Sequence, residues 1–296
     1  MGSDHAHSAA GANKRALSLV FWFTSVYLVA EVVGGLLTGS LALLADAGHM
    51  LTDVAGIGLA LLAIRFGERP ATASRTYGFY RVEILAALAN AIVLIGISIY
   101  ILYEAYERFK NPPKISTGPM LIVAAIGLGV NIAGMVLLRK GSKESLNMKG
   151  AYFEVLSDML TSVGVIVAAV IMWLTGWYYA DPLISAGIGL FILPRTWVLL
   201  REAVGVLLEG TPADINLAAI REMVDRLPGV REMHDLHVWT LTSGVNAMSA
   251  HVVIMDDSLH NEVLSALHDT ITSNFKIAHV TVQLEREGWK ECEAHL

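Results

Sequence analysis

Six apolar runs govern what this chain can become, since each approaches or exceeds the ~20 residues a helix needs to cross a bilayer. They lie at about 16–37, 40–66, 82–103, 118–138, 150–175 and 182–206. In hydrocarbon the backbone must satisfy its own N–H and C=O groups, so runs of this length are expected as helices. The first run is too long for a signal-peptide core and has no small-residue cleavage site, so it is expected to stay as the first span. The chain has 296 residues, 54% of them hydrophobic, and its last third turns polar. No basic patch with interleaved aromatics appears, which argues against a nucleic-acid partner. The net charge of −6 is divided between membrane and polar parts and decides little. Cys292 is the one cysteine, so an internal disulfide is excluded.

The connections are short. Thr38 and Gly39 alone separate the first two runs, implying a tight hairpin, and Gly34-Gly35 just before it allow close helix approach. Pro112-Pro113 break the helix after the third run. Lys and Arg number two, four and four in the N-terminal segment, the second-to-third loop and the fourth-to-fifth loop. The opposite loops carry none, three and none. The positive-inside rule then places both termini in the cytoplasm. Short loops and the lack of sorting signals fit a bacterial inner membrane.

From Glu209 the pattern changes to that of a soluble domain. Residues 215–227 read as an amphipathic helix stopped by Pro228-Gly229. Residues 230–241 and 245–255 read as strands joined through Thr242-Ser243-Gly244, then 259–275 as a helix and 277–285 as a third strand. The expected architecture is an all-α transmembrane domain of six helices followed by a small cytosolic α+β domain of order α-β-β-α-β, metallochaperone-like. The expected boundaries are a flexible tail at 1–15, the membrane domain at 16–208, the cytosolic domain at 209–286 and a C-terminal tail at 287–296. His5 and His7 in the first tail are either inconsequential or a loose metal-collecting pair.

Chemistry concentrates in two of the runs. His49 and Asp53 are four apart in the second, and Glu154 and Asp158 are four apart in the fifth, a spacing that stacks each pair on one helix face. Glu31 and Asp46 are also well inside. Pairing with buried bases cannot account for these acids, because the one deep base, Arg195, is near the end of another run. An isolated ionised carboxylate in a low-dielectric medium is prohibitively costly, so these groups are protonated or hold a cation.

Two such helices side by side bring one imidazole and three carboxylates together. Three carboxylates alone would suit Mg²⁺ or Ca²⁺. The imidazole shifts the preference to Zn²⁺, with Co²⁺ and Cd²⁺ close behind. Four protein ligands fill a tetrahedral shell, which suits carriage better than catalysis, where water needs an open position. Metal binding needs neutral His49 and ionised carboxylates, so it expels protons and protonation expels metal. The reading is a metal/proton exchanger and not an enzyme. The alternatives are a metal-gated channel, which would want several weak sites along a pore, and a membrane metalloenzyme, which would want an extra base or nucleophile.

The stretch from Gly39 to Asp53, the segment Tyr77-Gly78-Phe79-Tyr80-Arg81-Val82-Glu83 and His234-Asp235-Leu236-His237-Val238-Trp239 resemble signatures of the cation diffusion facilitators, and the resemblance covers nearly the whole chain. It implies a homodimeric zinc-exporting metal/proton antiporter with alternating access, whose transport site is His49, Asp53, Glu154 and Asp158. Glu154 departs from the His that many zinc-specific members carry. The expected range is therefore Zn²⁺ with Cd²⁺ and Co²⁺ tolerated, as in the heavy-metal-resistance branch. The stretch from Arg139 to Met148 has no His, unlike eukaryotic members, and none stands between Glu68 and Tyr80, so no extra site is expected there.

In the polar domain His234 and His251 fall on the two strands of the hairpin. With a two-residue Ser243-Gly244 turn they are expected as diagonal neighbours on one face. Glu285 ends the third strand, and Cys292 and His295 follow in a C-x-x-H spacing. The resemblance implies a second, structural or regulatory Zn²⁺ site at His234, His251 and Glu285. His237 and Trp239 are expected to pack or hydrogen-bond, and His260, His268 and His279 to lie on the surface.

Overall fold

The computed structural model describes residues 3–67, 71–138, 146–286 and 288, with side chains described at 21–56, 58, 71–136, 155–286 and 288. His5, His7 and Glu154 fall on helices but outside the described side chains, and Cys292 and His295 lie outside the described residues. The chain divides into two compact units, Met1–Arg65 with Ala86–Leu200, and Phe66–Leu85 with Arg201–Leu296.

The helices of the first unit follow the apolar runs: α1 Ser3–Thr38, α2 Leu41–Gly67, α3 Arg81–Lys110, α4 Thr117–Leu138, α5 Leu146–Thr175 and α6 Ala180–Leu207. α1 begins upstream of Ala16, where the first span was expected to start. Among the described residues, α1, α3, α4, α5 and α6 each carry a stretch long and apolar enough to cross a membrane. α2 is 27 residues long, and its second half falls outside the described side chains.

Gly39 takes a positive φ of 73° and turns α1 into α2 in the expected two residues. A methyl group on Gly35 would come within 2.8 Å of Leu44, and one on Gly34 within 3.0 Å of Val123. These glycines therefore set the spacing of α1 against α2 and α4. The core of the unit gathers Leu41, Leu43, Met120, Val165, Met172 and Ile188. Trp22, Phe23, Trp173, Leu174 and Trp197 are exposed, an outward apolar surface that hydrocarbon covers.

One end of this bundle is closed by Asp181, the second residue of α6, which is fully buried. Its carboxylate accepts from Ser40 Oγ at 2.7 Å and from the backbone N–H of Leu41 and Ala42 at 2.9 and 3.1 Å. It thus caps α2 from another helix, supplying acceptors to donors that a helix start leaves unpaired. Arg108 on α3 reaches Asp181 at 3.4 Å and the Gly39 carbonyl at 2.6 Å.

The second unit holds α7 Leu217–Asp225, β1 Val230–Thr242, β2 Val245–Ile254, α8 His260–Phe275 and β3 Ile277–Arg286, the expected α-β-β-α-β order. The sheet order is β1-β2-β3, with β1 and β2 antiparallel and β2 and β3 parallel. Asn216 caps α7 by accepting from the N–H groups of Ala218 and Ala219. α7 ends at Asp225, and in the turn from there to β1 Gly229 takes a φ of 85°, where an added methyl would meet Val263 at 2.9 Å, so glycine serves the turn and the close packing on α8 together. Ile220, Val224, Met248, Val252, Leu267 and Ile271 form the core beneath the sheet. Within this unit Glu83 accepts from Thr242 and from Ser243 Oγ, Arg81 pairs with Glu209 at 2.7 Å, and the Tyr77 ring meets His279 edge-on. The Tyr77–Glu83 segment that carries part of the family resemblance is thereby bonded to the polar domain's hairpin.

Candidate metal centres

In the first unit, α2 presents His49 and Asp53 one turn apart, and α5 presents Asp158 towards them. His49 Nε2 and Asp158 Oδ1 stand 3.0 Å apart, both residues buried. One ligand atom from each of His49, Asp53 and Asp158 lies within 4.8 Å of the others. His49 Nε2 and Asp158 Oδ1 come this close without forming a hydrogen bond of acceptable angle. Ligand atoms this close together, one nitrogen and carboxylate oxygens, are a set that a divalent cation can share. The His49 ring is held on its other side by an edge contact with Phe191 of α6. Glu154, the fourth residue expected here, stands one turn before Asp158 on α5.

A turn away on both helices is a further polar layer. Ser162 Oγ donates to Asp46 at 3.3 Å and accepts from Asn131 Nδ2 of α4 at 3.3 Å, while Thr161 Oγ1 donates to the Asp158 carbonyl at 2.9 Å. These contacts link α2, α4 and α5 at the level of the site. Asn131, Ser162 and Asp181 carry no ligand motif; the only sequence signal for them was polarity inside or at the edge of apolar runs.

In the second unit, Glu285 bridges both histidines. Its Oε2 is 3.2 Å from His234 Nε2 and its Oε1 is 3.0 Å from His251 Nδ1, with the two rings 5.4 Å apart and nearly perpendicular. The Glu285 side chain is buried and is also held by Gln283 Nε2 at 2.9 Å. His234 and His251 are direct cross-strand partners, not the diagonal neighbours expected from the turn. Ser243-Gly244 is the two-residue turn, and counted straight from the Thr242–Val245 pair His234 would face Val253. Two bulges in β1, between His234 and His237 and between Thr240 and Thr242, shift the register and bring His234 opposite His251.

The first of these bulges contains Asp235, at a φ of 48°, a left-handed conformation that aspartate tolerates better than most residues. Asp235 bonds His237 Nε2 at 2.8 Å and comes within 3.9 Å of His251 Nε2. The hydrogen bond from His237 lowers its carboxyl below the usual range; burial opposes this, and the charges of His237, His251 and His234 lower it further. His237 thus hydrogen-bonds, as expected. His260, His268 and His279 are exposed.

With this geometry in hand, comparison with known proteins is decisive. The cation efflux transmembrane domain model matches residues 17–208, and that of the cation efflux protein cytoplasmic domain matches 212–287. The chain belongs to the cation efflux family. Relatives include the metal cation efflux system protein CzcD of Cupriavidus metallidurans, 48% identical over 99% of this chain and 93% of its own length. A cadmium, cobalt and zinc/H(+)-K(+) antiporter of Bacillus subtilis is 42% identical over 97% of this chain and 93% of its own. The zinc transporter ZitB of Escherichia coli is 41% identical over 100% and 96%. As a cation efflux protein the chain is a bacterial membrane transporter whose substrates are metal ions, and the family consists of transporters, not enzymes.

Proposed function

We propose that this protein is a proton-coupled antiporter that exports Zn²⁺ first, and Cd²⁺ and Co²⁺ with it, from the cytoplasm by alternating access. Its transport site is His49, Asp53, Glu154 and Asp158. The observation that carries the reading is the buried convergence of His49 Nε2 and Asp158 Oδ1 at 3.0 Å with Asp53 beside them. Metal capture there requires neutral imidazole and ionised carboxylates, so proton and metal occupancy oppose each other. A relative named as a cadmium, cobalt and zinc/H(+)-K(+) antiporter supports both the ion range and the coupling.

The protein sits in the bacterial inner membrane with six spans and both termini in the cytoplasm, in keeping with the distribution of Lys and Arg and with a C-terminal match to a cytoplasmic domain. Residues 1–15 form a tail, 16–208 the transport domain, 209–286 the cytosolic domain and 287–296 the C-terminal tail. The working form is a homodimer, a reading supported by a second-domain family model named for a dimer. His234, His251 and Glu285 bind a further Zn²⁺ that stabilises or regulates the cytosolic domain, as the bridging carboxylate supports.

The test is transport by the purified protein in liposomes with a pH-sensitive dye inside, adding Zn²⁺, Cd²⁺, Co²⁺ and Mn²⁺ in turn. Metal uptake with opposite proton movement is expected, whereas uptake indifferent to pH would favour a channel. Glu154→His should narrow the range towards Zn²⁺, because a second imidazole softens the ligand set; Cd²⁺ uptake equal to that of the parent would count against this. The His234→Ala/His251→Ala pair should lower the number of Zn²⁺ bound per chain at equilibrium dialysis while leaving the membrane site filled. Unchanged stoichiometry would remove the cytosolic site.

A further inference from the structure

Behind the metal ligands lies an acid that they do not use. Glu31 of α1 is fully buried, and its carboxyl faces the Tyr27 hydroxyl, one turn earlier on the same helix, and the Asp46 carboxyl of α2. Tyr27 is buried as well, and none of these contacts reaches good hydrogen-bond geometry at Glu31 or at the Tyr27 hydroxyl. That hydroxyl lies so close to Gly127 of α4 that a methyl group there would stand 1.5 Å from it. Glycine on α4 thus makes room for the phenol, which stands one turn from Glu31 on α1. The titratable groups that face Glu31 are Tyr27 on its own helix, Asp46 on α2 and, more distantly, Asp158 on α5. From α4 the nearby polar group is the neutral Asn131, joined to Asp46 through Ser162. These groups are acids, a phenol and an amide.

A buried carboxyl whose neighbours are a phenol and another acid exists as the acid, or as the carboxylate only while a cation is close by. Glu31 does not need to be a metal ligand to meet that condition. Asp46, beside it, is three residues before His49 on α2, and Ser162, which binds Asp46, is four residues after Asp158 on α5. The Asp46–Ser162 layer beside Glu31 is thus about one helical turn, ~5 Å, from the metal site along both helices. A divalent ion arriving there supplies the charge that makes the carboxylate tolerable, and its departure withdraws it.

We propose that Glu31, flanked by Tyr27 and Asp46, is a proton-binding site distinct from the four metal ligands, and that its proton is the counter-ion of transport. This rests on the reading of the protein as an antiporter. When metal enters the His49–Asp158 site, the Glu31 acid O–H bond breaks and the proton passes to water. When metal leaves, a proton from the opposite side re-forms it. No other bond changes, and the coupling is electrostatic and reciprocal.

The experiment uses the full-length protein, purified and in liposomes, with Zn²⁺ alone as the probe. Protons released per Zn²⁺ bound are counted by calorimetry in buffers of different ionisation enthalpy, for the parent and for Glu31→Gln. The variant should release fewer protons, by about one per metal, and, because the coupling is reciprocal, its Zn²⁺ affinity should fall by about tenfold while the four ligands still bind the ion saturably. In liposomes it should lose at least about tenfold of the Zn²⁺ accumulation driven by a pH gradient. Equal proton release and equal gradient-driven accumulation in the two proteins would overturn the proposal. So would loss of Zn²⁺ binding by a folded Glu31→Gln, which would make Glu31 part of the metal site, or full coupling to K⁺ in place of H⁺. Should Glu31→Gln fail to fold, Tyr27→Phe is read instead. It should move the pH midpoint of transport by about half a unit or more, and an unmoved midpoint overturns the idea. A parent protein that moves Zn²⁺ with no proton release at all sinks the antiporter reading itself, a result distinct from any difference between parent and variant.

Discussion

Asp158→Ala is expected to abolish metal-dependent transport in liposomes while the protein keeps its helical content and elutes as the parent does. Loss of an outer-shell partner already costs a metal site about 10–100-fold in affinity or activity, so loss of a carboxylate that faces His49 at 3.0 Å should exceed that. Stability is spared for a definite reason. Alanine is the best helix former, so α5 accommodates it, and the Thr161 hydroxyl bonds the backbone carbonyl of residue 158, which the substitution keeps. Uptake of radioactive zinc into liposomes and circular dichroism of the same preparations check both halves. Full transport by this variant would remove Asp158 from the site and with it the assignment of the α2–α5 ligand set.

Asp181→Ala has the opposite signature, a loss of stability before any loss of chemistry. The Asp181 carboxylate is fully buried and accepts from Ser40, Leu41 and Ala42 while facing Arg108 at 3.4 Å. Truncation strands the Ser40 hydroxyl and the first N–H groups of α2, while Arg108 keeps Glu104 at 3.0 Å and the Gly39 carbonyl. The lost cap costs about 1 kcal/mol, and each buried donor left unpaired adds about 1–3 kcal/mol. Thermal unfolding in detergent should fall by many degrees. Asp181→Asn keeps part of the hydrogen bonding and should fall between the two. A melting temperature for Asp181→Ala equal to the parent's would show that the α2 end is held by something other than this carboxylate.

The two outcomes mark what the sequence could and could not reveal. His49, Asp53 and Asp158 were legible because a four-residue spacing on an apolar helix has one geometric meaning, and because an acid in hydrocarbon demands a reason. The helices and strands were legible from run length, from Pro112-Pro113 and from Pro228-Gly229. Asp181 was not, since it lies just outside its apolar run and its partners come from residues 140 positions away, on α2 and its approach. Nothing local announces a cap supplied across such a distance. Ser162 and Asn131 were visible as polar residues, but their joining through to Asp46 depends on how α2, α4 and α5 pack. The His234–His251 pairing was misread by two positions for a different reason. The turn was correctly placed, but bulges are set by backbone strain at sites such as Asp235, which leave no periodic trace.

That misreading has a wider meaning for how the cytosolic site can be lost. His234 meets His251 only because β1 spends two more residues than β2 between the turn and the histidines. The strand works as a ruler, and the site is encoded in its length as much as in its ligands. Drop a single residue from either bulge and His234 slips one place along β2, facing the opposite side of the sheet. Every histidine and carboxylate would survive in the sequence, and the pocket they make would not. A survey of metal-binding residues by identity alone would score such a chain as intact, whereas one that counts the residues between them would not.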